Sequence, residues 1–71
     1  MGKFRYNSET DRWFFQSSDS TFDFHCGDAL EIKVGNRYVF GRLEYDDTWY
    51  IIFPDARFTL RKKWIYLARV A

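Results

Sequence analysis

Seventy-one residues suffice for one small domain, and the chain carries a formal net charge of +1 with a single cysteine and a single histidine. Those counts exclude an intramolecular disulfide and a four-ligand Cys/His zinc site, and the near-neutral charge gives no overall bias toward polyanions. No apolar run is long enough for a signal peptide or a membrane span.

Without those aids a core of this size supplies only about 3–5 kcal/mol. The compensation lies in the rings: eight Phe, five Tyr and three Trp make up 23% of the chain. Each can bury about 150–250 Å². So many rings exceed what one small core holds, and some must reach the surface, where aromatics make contact sites.

In chain order, Lys3–Tyr6 and Arg12–Gln16 read as a first hairpin around the turn-rich Asn7–Asp11. Ser17–Ser20 is a polar loop. Thr21–His25 alternates, with Phe22 and Phe24 on one face. Asp28-Ala29-Leu30-Glu31 matches a helix capping box. A helix starting there would stop at Gly35 after about six residues, too short to hold without strong packing. The alternation of Leu30, Ile32 and Val34 with Glu31 and Lys33 favours a half-buried strand instead. Gly35-Asn36 suits a type II′ two-residue hairpin. Val39, Gly41, Leu43 and Tyr45 then alternate with Phe40, Arg42 and Glu44 on the returning strand. In that register Gly41 lies opposite Leu30, where a missing side chain permits a bend.

The next hairpin turns at Asp46-Asp47. A one-residue slip there exchanges the two faces of the following strand. Asp-Asp lacks the glycine of a type I′ turn, so a three-residue loop, Asp46-Asp47-Thr48, is expected, with Trp49, Ile51 and Phe53 inward. Pro54–Arg57 is a turn, and Phe58–Leu60 a short strand. Over 63–70 and its flank, Trp64, Leu67, Ala68 and Ala71 have helical spacing, whereas Trp64, Tyr66, Ala68 and Val70 have strand spacing; the β-rich context and the lack of an N-cap favour strand. Carboxylates exceed cations by two in residues 1–35, and cations exceed carboxylates by three in residues 36–71.

These elements predict an all-β fold in one domain spanning 1–71: a small antiparallel SH3-like barrel of five to seven short strands, closed or nearly so, because closure removes exposed strand edges. The expected core is Phe22, Leu30, Ile32, Val39, Leu43, Trp49, Ile51 and Phe53. Phe24-His25-Cys26-Gly27-Asp28-Ala29-Leu30-Glu31-Ile32 resembles the diverging turn of SH3 domains, and Gly41-Arg42-Leu43, Trp49-Tyr50 and Pro54 are similar to their central strands and 3₁₀ turn. The Ala-Leu-Tyr-Asp-Tyr motif and the paired tryptophans of the SH3 peptide groove are missing, so the resemblance implies the fold alone. The set Gly27-Asp28, Leu30-Glu31-Ile32, Gly41-Arg42-Leu43-Glu44 and Trp49-Tyr50 also resembles a family of short bacterial proteins of unknown function, found on mobile elements of Gram-positive bacteria. That resemblance implies a bacterial origin and no established activity.

The chemistry-bearing residues point away from catalysis. His25 and Cys26 are the only nucleophile–base candidates, and neighbours on a strand point to opposite faces. The expectation is a packed Cys26 and an exposed His25. Asp46-Asp47 is explained by turn chemistry, and four dispersed glycines make no phosphate loop. No metal or cofactor is expected.

Two candidate binding surfaces remain. Tyr38 and Phe40, beside Lys33, Glu31 and Arg42, form an aromatic patch rimmed by charge, suited to a protein partner. The alternative is single-stranded nucleic acid at Arg57, Arg61, Lys62, Lys63 and Trp64, where rings stack bases and cations track phosphates. The expected setting is a reducing cytoplasm.

Overall fold

The computed structural model describes residues 2–70, and they form eight strands and no helix. The strands are β1 (Gly2–Asn7), β2 (Arg12–Gln16), β3 (Thr21–Asp23), β4 (Ala29–Val34), β5 (Arg37–Tyr45), β6 (Trp49–Phe53), β7 (Ala56–Thr59) and β8 (Tyr66–Val70). They make one antiparallel sheet in the order β3-β2-β1-β8-β4-β5-β6-β7.

The sheet is not a closed barrel, which corrects the expected SH3-like closure, and its eight strands exceed the expected five to seven. β3 and β7 are the two free edges. The edge problem that closure would solve is handled by brevity: β3 has three residues and β7 four, all of them exposed. Asp23 and Arg57 on those edges further discourage pairing with another chain.

Curvature does the rest. Residues from both wings of the sheet share one core: Phe4, Trp13 and Phe15 from β1 and β2 meet Leu30, Leu43 and Ile51 from β4, β5 and β6. Phe4 stacks on Trp13 with ring centroids 5.0 Å apart and meets Phe24 edge-on at 5.2 Å. Such pairs add about 0.5–1.5 kcal/mol beyond burial. At one end the indole N–H of Trp49 in β6 donates to Asp11 in the β1–β2 turn at 3.4 Å, and the Tyr6 hydroxyl donates to the same carboxylate oxygen at 2.5 Å. Beyond the β8 ladders to β1 and β4, the two halves of the sheet are thus joined there through side chains, with no ladder between edges β3 and β7.

Register follows the alternation. Ile32 lies opposite Val39 and Leu30 opposite Gly41, with Gly35 at φ +66° in the two-residue turn. Tyr45 lies opposite Trp49, so the loop is Asp46-Asp47-Thr48 and Trp49, Ile51 and Phe53 share the inner face with Leu43. Five of the expected core residues are buried: Leu30, Ile32, Leu43, Trp49 and Ile51. Val39 and Phe53 are half-buried. Phe22 is a correction: it lies on edge strand β3, 41% exposed, with no strand beyond it to cover its ring. Phe4, Trp13, Phe15, Phe24, Leu60 and Ala68 complete the core.

Candidate functional site

The register places Glu31, Lys33, Tyr38, Phe40 and Arg42 together on the outer face of the β4–β5 hairpin, away from Ile32 and Val39. The aromatic area there is smaller than the residue types suggest. Arg69 on β8 sets its guanidinium 4.1 Å from the centre of the Tyr38 ring and pairs with Glu31 across the strand. Arg42 Nε bonds Glu44 Oε2 at 2.6 Å. Tyr38 is half-buried, and Phe40 alone stands free, 53% exposed.

The second candidate set is divided. Arg57 lies on β7, where it donates to Asp46 Oδ2 at 3.0 Å and covers the Tyr50 ring at 3.7 Å. That hydrogen bond raises the Arg57 pKa and is the main cause holding the Asp46 carboxyl below its usual value. Arg61, Lys62, Lys63 and Trp64 lie in the β7–β8 connection, lining a shallow hollow with Thr48 and Leu60. Arg61 stands 5.3 Å from the Trp64 ring, while Lys62 turns to the Tyr6 ring at 4.9 Å. The run is therefore gathered in part, and its most upstream cation is engaged elsewhere.

A third site was not legible from the residues. β8 is staggered: Tyr66–Ala68 pair with β1, whereas Ala68–Val70 pair with β4 through residues 30–32. Lys33 and Val34 consequently have no β8 partner, and the two strands part. The gap is a groove of about 240 Å³ lined by Ile32, Lys33, Val34, Phe53, Phe58 and Tyr66. Its lip is apolar and open: Val34 is 52% and Phe58 39% exposed. Phe58 meets Tyr66 edge-on at 5.8 Å, and Trp64 lies 6.3 Å from Tyr66. In the sequence Phe58 and Tyr66 are ordinary strand aromatics, and they join Val34 only through the stagger of β8.

His25 and Cys26 fall between β3 and β4. The His25 amide donates to Asp28 Oδ2 at 2.8 Å, and its Nδ1 stands 3.6 Å from the same oxygen. This is a turn-forming contact. Cys26 is exposed, correcting the expectation that it packs inside; the turn lifts it off the sheet before β4 begins. Among the described residues no group of three metal-ligating side chains assembles, and no helix is long and apolar enough to cross a membrane.

Fold and surface together define a small all-β domain with an open antiparallel sheet and an exposed aromatic cluster. The chain belongs to the family described as Domain of unknown function (DUF5348), whose model matches residues 2–70. A crystal structure of a protein from Ruminococcus gnavus is similar to it, at 27% identity over 97% of each chain with a TM-score of 0.75. No curated protein matches the chain.

Proposed function

We propose that the chain is a non-catalytic module that binds a protein partner, with the groove between β4 and β8 receiving apolar side chains of that partner. The observation that carries this reading is the open lip of Val34 and Phe58 over the half-buried Phe53 and Tyr66. Exposed rings beside a preformed hollow are the usual anchors of protein contacts. The groove is favoured over the Tyr38–Phe40 patch because Arg69 already covers Tyr38. His25 and Cys26 lie in an exposed turn, where His25 contacts Asp28, and that placement supports the non-catalytic reading. A cytoplasmic setting belongs to the same reading, since the one cysteine is exposed and unpaired.

The test is affinity capture from the native host with the wild-type chain and with Phe58→Asp as bait. Phe58 lies on an edge strand, so the substitution leaves the core in place, which a thermal melt verifies. A protein held by the wild type and lost by the variant supports the reading. Equal capture by both removes the groove from consideration.

A further inference from the structure

We propose that the outer face of the sheet, which meets the groove only at Lys33, binds single-stranded nucleic acid. The argument starts from how folding sorts the charge. Register sets Lys3, Arg5, Arg12 and Lys33 on the outer face, opposite in direction to Phe4, Tyr6 and Ile32. Arg42, Arg57 and Arg69 share that face. Only three carboxylates accompany these seven cations: Asp23, Glu31 and Glu44. The seven other carboxylates of the chain all lie in loops and turns. A chain with net charge +1 thus presents a sheet face with an excess of four positive charges.

The ion pairs sharpen the pattern. Glu31 is taken by Arg69 and Glu44 by Arg42, and Arg57 is held by Asp46. Lys3, Arg5, Arg12 and Lys33 have no ion-pair partner among the described residues. Strands lie about 4.8 Å apart, so β1, β8, β4 and β5 together span about 14 Å across the sheet. The four unpaired cations of this face can each meet one phosphate of a strand laid across it.

Rings interleave with the cations. Phe14 lies opposite Arg5, Phe40 opposite Glu31 and Tyr38 opposite Lys33. Phe40 offers an open ring face, and the Arg69 guanidinium over Tyr38 is itself a plane on which a base can stack. Anionic lipid or an acidic peptide would use the cations and leave the Phe40 ring idle. A duplex hides the faces of its bases. Cations with open rings between them fit an unpaired strand.

The experiment follows fluorescence anisotropy of labelled oligo(dT) and oligo(U) of about 15 nucleotides with the whole chain, at about 50 and 200 mM salt. The expected result is binding that weakens with salt at a log–log slope of about −3, from one phosphate neutralised at each of the four unpaired cations at about −0.7 each. Phe40→Ala lowers affinity about tenfold without changing that slope. Lys33→Gln makes the slope shallower by about 0.7. Phe58→Asp leaves the oligonucleotide bound, which separates this surface from the groove. Both exposed substitutions are checked by thermal melting. The proposal is overturned by no binding at the lower salt, or by loss only when Arg61, Lys62 and Lys63 are together changed to Gln. It is equally overturned if polyglutamate or anionic lipid vesicles displace the probe as readily as unlabelled oligo(dT).

Discussion

Gly41 lies directly beneath Ile51: a Cβ on the glycine would stand 2.5 Å from Ile51 Cγ2 and 2.9 Å from the Phe53 ring. The glycine was expected to permit a bend opposite Leu30, and it does lie opposite Leu30. Its physical role is clearance, because the curved sheet folds β6 side chains over the place where a methyl group would go.

Gly41→Ala should therefore destabilise the domain by about 1–3 kcal/mol, the usual cost of overpacking a filled core. Ile51 is fully buried and cannot swing aside. Urea denaturation gives the value, and an unchanged midpoint would refute the clearance role.

Trp13→Ala should unfold the chain at 25 °C. Trp13 is fully buried and contacts Phe4, Tyr6 and Tyr66, so its loss removes the centre of one wing's packing. Such truncations cost about 3–5 kcal/mol, comparable to the whole stability of a domain this small. Far-ultraviolet circular dichroism decides the matter.

Acid should loosen the join between the wings. The Asp11 carboxyl is held below its ordinary value first by the Tyr6 hydroxyl and then by the Trp49 indole. Its folded-state pKa is the lower one, so its contribution is fully present above about pH 4 and disappears as pH falls through the folded value. Asp46, held down by Arg57, acts in the same direction. The drop in Tm from neutral to strongly acidic pH should be smaller in Asp11→Asn than in the wild type, and an equal drop would show that the contact has no energetic weight.

Cys26 should react with a thiol reagent in the folded state, because it is exposed in the turn before β4. Cys26→Ser should change stability by less than about 0.5 kcal/mol, as for surface positions generally. Reaction only after denaturant is added would contradict the exposed turn.

Alternation made the β4–β5 hairpin and its register legible, since Ile32 and Val39 mark one face without ambiguity. The odd loop at Asp46–Thr48 followed from the lack of a turn glycine. Local patterns of this kind report which way a side chain points, and they say nothing of where a strand stands in the sheet. Phe22 and Phe24 alternate alike, yet Phe22 is on an edge and 41% exposed while Phe24 is buried. The same gap in information led to a closed barrel being expected. Likewise Val34 and Phe58 are ordinary strand residues until the stagger of β8 opens a groove between them. The charge imbalance between the two halves of the chain was visible, but pairing redistributed it into a basic sheet face and acidic loops.

Among the described residues β8 is the last strand in chain order and occupies an interior place, flanked by β1 on one side and β4 on the other. A ribosome making this chain delivers the keystone after every stone it must lock. Until residues 66–70 emerge, the β1–β2–β3 wing and the β4–β7 wing have no backbone ladder between them, so co-translational folding can pre-form each meander and cannot lock the two together.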